Sequence, residues 1–220
     1  MHQFLARMND RAFRDLDTVG HTIDLQGWVN EGFHEVLDIV SKRTESVTDL
    51  IMFEVGSWKG ASANFIVPKL KPRLSSLVCI DTWLGAPEFY TFGIDEESWS
   101  TQPSLGWPQV FYTFTKNMKM QGHDDVIVPF PISSIQAAEV LKTYDIKAHV
   151  IYVDASHEYE AVLSDLEAFV GLMHDGGILW GDDYGNDTFP GVAKAVDDFA
   201  AKHGLSVDVI GMNWLITLKR

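Results

Sequence analysis

The sequence has 220 residues, 46% of them hydrophobic, and a net charge of −14. This length fits one α/β domain, and the acidic excess argues against nucleic acid as a main partner, because phosphate groups bind basic surfaces. The single cysteine, Cys79, cannot form an intramolecular disulfide, which favours a reducing compartment. The N-terminus lacks the apolar core of a signal peptide, and no apolar run reaches transmembrane length. We therefore expect a cytoplasmic protein with no membrane partner.

Short apolar runs alternate with helical patterns along most of the chain. Residues 1–45 are predicted to form an N-terminal helical segment, with helical spacing of apolar residues between 26 and 42, and residues 46–220 the main domain. Strands are predicted at 49–55, 76–81, 125–129, 147–153 and 176–180, and helices at 60–69, 107–120, 133–142, 158–173 and 190–203. Gly176 and Gly177 are expected to stop the helix at 158–173. The alternation predicts a doubly wound parallel sheet.

Two parts of the chain depart from this alternation. Strand-like runs at 206–210 and 213–219 are separated only by Gly211 and Met212, which predicts an antiparallel hairpin. Residues 84–106 form a long, aromatic-rich connection, which we predict to be a lid over a binding site. The tryptophans of this region, including Trp83, suit a flat or sugar-like ligand, or pack on their own domain.

The segment FEVGSWKGAS, residues 53–62, follows the first predicted strand. Gly56 and Gly60 allow a tight turn and a close approach of the backbone to a ligand. The spacing of the two glycines differs from the GxGxxG motif, and Lys59 precedes the second glycine, so the segment is not a P-loop. The residues alone leave two interpretations open, a nucleoside pocket or a plain strand-to-helix turn.

Polar residues also follow the second and third predicted strands. Ligands of an open parallel sheet bind beyond the carboxyl ends of its strands. A carboxylate at the position of Asp81 can accept hydrogen bonds from ribose hydroxyls, or it can cap a turn. Ser133 or Ser134 is predicted to cap the next helix or to meet the edge of a base.

Acidic residues follow the fourth and fifth predicted strands, where Asp154 precedes His157 and Asp182 precedes Asp183. If these strands are neighbours, their ends lie about 5 Å apart. Carboxylates this close repel one another, and a divalent cation with oxygen ligands would remove that repulsion. His157 is then placed to act as a general base near neutral pH. Taken singly, each residue also suits a helix cap, a turn or the surface.

These segments together resemble class I S-adenosylmethionine (SAM)-dependent methyltransferases. The closest likeness is to the small-molecule O-methyltransferase group that includes metal-dependent macrolide-sugar methyltransferases and cephalosporin-hydroxylase-like proteins. The resemblance rests on FEVGSWKGAS, CIDTW, VDASHEYEAVLSDLEAF, GGILWGDDY and PGVAKAVDDF, and it covers roughly residues 50–203. It implies a Rossmann-like, seven-stranded sheet that is mostly parallel and ends in an antiparallel hairpin.

The resemblance also implies roles for individual residues. The implied SAM-binding residues are Glu54, Gly56, Ser57, Gly60, Asp81, Ser133 and Ser134. The implied ligands of Mg²⁺ or another divalent cation are Asp154, Asp182 and Asp183. His157 would be the base, a role that an aspartate takes in some relatives and for which Asp154 is the candidate here.

The resemblance and the acidic residues favour metal-assisted O-methylation of a small-molecule hydroxyl. An NAD-dependent oxidoreductase would be expected to contain GxGxxG, and a two-histidine hydroxylase a second histidine near His157. A protein that binds the cofactor without catalysis is the remaining alternative. The N-terminal helical segment is a candidate surface for forming a homo-oligomer.

Overall fold

The computed structural model describes residues 1–85 and 108–219. Its helices are α1 (Gln3–Phe13), α2 (Glu31–Arg43), α3 (Ala61–Leu70), α4 (Val110–Met120), α5 (Ser134–Thr143), α6 (Tyr159–Val170) and α7 (Pro190–His203). Its strands are β1 (Leu50–Val55), β2 (Leu74–Asp81), β3 (Ile127–Pro131), β4 (Ala148–Val153), β5 (Met173–Gly181), β6 (Asp208–Ile210) and β7 (Asn213–Thr217).

The seven strands of the described residues form one sheet in the order β3-β2-β1-β4-β5-β7-β6. β1 to β5 are parallel, and β7 runs antiparallel to both of its neighbours. This confirms the predicted Rossmann-like, mostly parallel sheet with its C-terminal hairpin. β1 lies between β2 and β4, so the chain leaves β1 towards one edge of the sheet and later returns to its other side. Such a switch of direction opens a crevice at the carboxyl ends of the strands.

Helices cover both faces of this sheet. Alternate side chains of each central strand point to opposite faces, so each strand contributes apolar side chains to two cores. In β1, Phe53 and Val55 join a core that includes residues of α1, α5, α6 and α7. Leu50 and Met52 join a second core that includes residues of α2, α3 and α4. Both faces of the central strands are therefore buried.

The structure corrects several predicted boundaries. The helix predicted at 26–42 begins only at Glu31, and α1 is an additional helix near the N-terminus. The prediction that Gly176 and Gly177 stop a helix was wrong. α6 ends at Val170, and both glycines lie inside β5, where the pairing with β4 shifts register. A side chain on Gly177 would overlap the His174 carbonyl, so glycine serves the irregular strand and not a helix end.

Other predictions concern regions that the structure does not settle. Most of the predicted lid, residues 84–106, lies outside the described residues. The division of the chain at residue 45 stays a prediction, although Leu5 of α1 and Phe33 of α2 are fully buried in the cores of the sheet.

None of the helices in 1–85 and 108–219 combines the length and apolar character needed to cross a bilayer.

Candidate active site

A cavity of about 930 Å³ lies at the carboxyl ends of the central strands. Nine residues singled out from the sequence line it: Gly56, Ser57, Asp81, Ser133, Ser134, Asp154, His157, Asp182 and Asp183. Glu54 and Gly60 do not belong to the described lining. These residues at the ends of different strands therefore share one cavity.

Asp81 organises one end of the cavity by holding the loop between β1 and α3. One carboxylate oxygen accepts hydrogen bonds from the backbone N–H groups of Ser57 and Trp58, at 3.0 and 2.9 Å. The other oxygen accepts from the backbone N–H of Trp83 at 2.7 Å. Burial raises the pKa of Asp81, and these backbone donors act against that shift. The carboxylate thus joins two loops while remaining on the cavity wall, where a nucleoside hydroxyl can reach it.

Glu54 lies behind the cavity wall and is fully buried. Its carboxylate accepts hydrogen bonds from the hydroxyls of Ser57 at 2.6 Å and Ser62 at 2.7 Å. Burial raises the pKa of Glu54, and the two hydroxyls lower it. Since both serines line the cavity, Glu54 acts on the site by orienting their hydroxyls.

The glycines of the β1–α3 loop serve backbone geometry. Gly56 has φ +90°, and a side chain there would overlap the Asp154 carbonyl at the end of β4. Gly60 also has φ +90° and lies against Met118 and Phe114 of α4. Gly56 therefore lets two strand ends approach closely, whereas Gly60 sets the turn into α3.

The two serines after β3 have different positions. Ser133 is the N-cap of α5, with its hydroxyl accepting from the Gln136 backbone N–H. Ser134 is the first residue of α5. Of the two roles predicted for these serines, Ser133 has the helix cap. Both serines also lie on the cavity lining.

The other end of the cavity contains a cluster of Asp154, His157 and Asp183. One potential ligand atom from each lies within 4.8 Å of the others. His157 Nε2 is 3.1 Å from Asp183 Oδ2, and its ring stacks on Phe189 with a centroid distance of 3.9 Å. The Tyr152 hydroxyl donates to Asp154 Oδ2 at 2.9 Å. The two carboxylates and the imidazole form a set that can hold a divalent cation.

Asp182 has a different position from its neighbour. Its carboxylate accepts two hydrogen bonds from Asn30 Nδ2, at 2.9 and 3.0 Å, and one from Asn213 Nδ2 at 3.1 Å. It also accepts from the Asp183 backbone N–H at 2.8 Å. Asp183 has φ +61°, a left-handed conformation that turns its side chain away from that of Asp182 and towards His157. Asp182 therefore supports the cluster, and the metal role predicted for it stays a prediction.

Burial and neighbouring negative charges both act on Asp154. Burial raises its pKa to about 7, with further contributions from the charges of Asp182 and Asp183. In contrast, His157 and Asn186 lower the pKa of Asp183 against the effect of burial. A bound cation or an added proton would relieve the repulsion at Asp154.

Sequence reasoning missed several residues of the site. Asn30 and Trp28 lie on the N-terminal segment, and Asn213 is the first residue of β7, 31 positions from Asp182. Phe189 is an apolar residue just before α7, and Tyr152 lies inside a buried strand. None of these residues stands at the end of a parallel strand, which was the signal that located the others.

A family model described as a methyltransferase domain matches residues 53–184. This span runs from β1 to the acidic end of β5. The chain belongs to this methyltransferase domain family. No curated protein sequence matches it significantly. The family assignment agrees with the resemblance found in the motifs at the strand ends.

Solved methyltransferase structures share this fold. The calicheamicin methyltransferase CalS11 is similar with a TM-score of 0.61 and 13% identity, covering 99% of this chain and 93% of that chain. An O-methyltransferase from Bacillus cereus, solved in complex with SAH, has a TM-score of 0.58 and 10% identity, covering 97% and 91%. TomG from Streptomyces achromogenes, solved in complex with SAM, has a TM-score of 0.57 and 14% identity, covering 100% and 91%. At this identity, the likeness establishes a Rossmann-like methyltransferase fold.

Proposed function

We propose that this methyltransferase uses SAM to methylate a hydroxyl group of a small molecule, with the help of a divalent cation such as Mg²⁺. One observation carries the proposal. The same cavity contains, at one end, a carboxylate held by a glycine-containing loop and, at the other, two carboxylates beside a histidine. The first end suits a nucleoside, and the second suits a cation and a proton acceptor.

The residues present at the first end fit SAM. Asp81 offers carboxylate oxygens to the ribose hydroxyls, and the Gly56–Ser57 backbone lies on the lining. Ser133 and Ser134 lie at the end of β3, which pairs with β2 and so places them beside the Asp81 region. We assign these two serines to the adenine end. The complexes of the Bacillus cereus enzyme with SAH and of TomG with SAM support this choice of cofactor.

The residues at the second end fit a hard divalent cation. We assign Asp154 and Asp183 as carboxylate ligands, because their oxygens lie within 4.8 Å of each other and of a His157 nitrogen. Asp182 holds this arrangement by accepting the backbone N–H of Asp183. In this proposal SAM supplies an electrophilic methyl group, and the cation lowers the pKa of the acceptor hydroxyl.

His157 is the proposed general base. An imidazole nitrogen accepts the proton of the acceptor hydroxyl, and the Asp183 carboxylate stabilises the imidazolium that forms. Stacking on Phe189 fixes the plane of the ring and limits its contact with water. His157 thus has a defined position beside the acidic cluster.

Calorimetry tests the cofactor assignment directly. We expect SAH and SAM to bind and NAD⁺ not to bind, because the chain lacks the GxGxxG turn. Methyl transfer is then measured as SAH formation across a panel of hydroxylated compounds, with and without EDTA. Chelation should abolish transfer and leave SAH binding nearly intact. NAD⁺ binding without SAH binding would refute the cofactor, and full transfer in EDTA would refute the cation.

A further inference from the structure

The ionisable side chains of the described cavity lining are almost all acidic. Asp81, Asp154, Asp182 and Asp183 contribute carboxylates, and His157 is the remaining ionisable group. Neither lysine nor arginine occurs in this lining within the described residues. When ionised, these four carboxylates outweigh a divalent cation and the sulfonium of SAM together, which supply three positive charges. The site is therefore poorly suited to an acceptor that carries a phosphate, sulfate or carboxylate group.

Two lysines on elements next to the cavity, Lys59 and Lys194, pair with carboxylates outside the described lining. Lys59, on the β1–α3 loop, is 2% exposed, and its Nζ lies 2.8 Å from Asp24 Oδ2. Lys194 of α7 pairs with Asp198 at 2.6 Å. Residues 86–107, which lie outside the described part, contain no lysine, arginine or histidine and include four acidic residues. That stretch of sequence therefore contains no cationic side chain that could offset the negative charge of the cavity lining.

The N-terminal segment adds an exposed aromatic face to the cavity. Trp28 lines the cavity and is 65% exposed. The chain is fixed on both sides of it. Gln26 Oε1 accepts from Trp58 Nε1 at 2.9 Å, and Asn30 donates to Asp182. Trp28 thus lies on the lining between two anchored residues, and most of its side chain is accessible to a ligand.

From these observations we infer that the methyl acceptor is a hydroxylated compound without an anionic group, held against the face of Trp28. The inference rests on the proposed function and names its acceptor class. A neutral ring or sugar face would pack on the indole, and a protonated amine would gain both a cation–π contact and the attraction of the carboxylates. An anionic acceptor would lose its hydration without gaining a cationic partner from the protein.

Three matched catechols test this inference on protein loaded with SAH and Mg²⁺. Dopamine is cationic, 4-methylcatechol is neutral and 3,4-dihydroxyphenylacetate is anionic, while all three share the same pair of hydroxyls. Binding is measured by calorimetry, and methylation by SAH formation from SAM. We expect dopamine and 4-methylcatechol to bind at least about tenfold more tightly than the anion, a difference of about 1.4 kcal/mol.

Two pairs of variants test whether the charge of the lining and the Trp28 side chain determine which acceptor binds. Thr188 lines the cavity and is exposed, so Thr188→Lys should improve binding of the anion about threefold, while Thr188→Gln should not. Trp28→Ala should weaken binding of dopamine and 4-methylcatechol about tenfold, and Trp28→Phe should retain most of it. Because both side chains are exposed, these changes leave the core intact.

The outcomes separate this inference from the proposed function. Failure of SAH to bind would refute the proposed function. If SAH binds, equal or tighter binding of the anionic catechol would overturn the acceptor class. So would the absence of binding by all three catechols, or unchanged binding of dopamine and 4-methylcatechol in Trp28→Ala.

Discussion

Asn30 donates its side-chain amide to both carboxylate oxygens of Asp182, at 2.9 and 3.0 Å. The same side chain caps α2, since its Oδ1 accepts from the Phe33 backbone N–H at 3.0 Å. It also accepts from Asn213 Nδ2 at 2.8 Å. One residue of the N-terminal segment thus connects a helix terminus, the acidic end of β5 and the start of β7.

The first prediction concerns the support that Asn30 gives to the proposed cation site. Asn30→Ser retains a capping hydroxyl but removes the amide donor to Asp182. We expect affinity for Mg²⁺ or Mn²⁺ to fall about 10–100-fold, the usual effect of losing a partner that orients a metal site. Calorimetry measures the change. Asn9→Ser is the control, because Asn9 donates to backbone carbonyls around β3, away from the cluster. Unchanged affinity in a folded Asn30→Ser protein would contradict the prediction.

The second prediction concerns the nucleoside end. Asp81→Asn removes the charge and one of the acceptor oxygens that hold the backbone of Ser57, Trp58 and Trp83. SAH binding should weaken by about 1.5–3 kcal/mol, the scale of a hydrogen bond to a charged group. Asp208→Asn makes the same change at an exposed acid of β6, outside the described lining, and should preserve SAH binding. Equal SAH affinity in wild type and Asp81→Asn would show that this carboxylate does not hold the ribose.

The third prediction concerns the proposed base. His157→Gln preserves a side chain that can donate to Asp183 but removes a group that can take up a proton near neutral pH. Turnover should fall about 10²–10⁴-fold, the usual contribution of a general base, with little change in cation affinity. His203→Gln, at an exposed histidine beside Glu167, is the matched control. A wild-type rate in His157→Gln would move the base to another group, with Asp154 the first candidate. A loss of cation binding would make His157 a ligand.

Asp165 is an acid buried on α6, away from the acidic cluster, and it is only 4% exposed. Burial raises its pKa from 3.8 to about 6, against the effect of a hydrogen bond from the Ser134 side chain. Below pH 3.8 the residue is protonated in both the folded and the unfolded protein. As pH rises from 3.8 to about 6, the unfolded chain loses this proton first, so the folded state loses stability over that interval.

The fourth prediction follows from that shift. Asp165→Asn is neutral at every pH, so its folded state should not lose stability as pH rises from 3.8 to about 6. Its free energy of unfolding should match that of wild type at pH ~3 and exceed it by up to about 3 kcal/mol above pH 6, given about 1.4 kcal/mol for each unit of pKa. Urea denaturation at a series of pH values measures the difference. Glu160→Gln, at an exposed acid of the same helix, should show no such gain. A constant difference across pH would refute the titration of Asp165.

Hydrophobic patterning was sufficient to predict the sheet and its final hairpin. Parallel strands buried on both faces give continuous apolar runs, and the two residues Gly211 and Met212 leave room only for a reversal. Asp154, Asp182 and Asp183 were located for the same reason, since each follows such a run. Residues inside a helix or strand could not be located in this way, because they do not follow an apolar run. Gly176 and Gly177 suggest a helix end in sequence, but β5 begins before them.

The supporting residues could not be predicted because they depend on contacts between distant parts of the chain. Asn30 lies 152 positions from Asp182 and Asn213 lies 31 positions from it. For Trp83, the sequence left open two interpretations, contact with a ligand or packing on its own domain. Trp83 is 1% exposed, because its Nε1 donates to the Trp58 carbonyl and its ring packs on α4. Trp28, which sequence analysis placed in a helix, is an exposed tryptophan of the described lining.

The position of β7 determines when, during synthesis, the acidic end of β5 can become complete. β7 lies between β5 and β6, and Asn213 at its start supports Asp182. A ribosome therefore has to extend the chain beyond β7 before the acidic end of β5 acquires all of its hydrogen-bond partners. Nascent chains that already contain the whole family match, residues 53–184, would still lack this strand. The capacity to bind a cation tightly is thus expected to arise late, after most of the sheet has been translated.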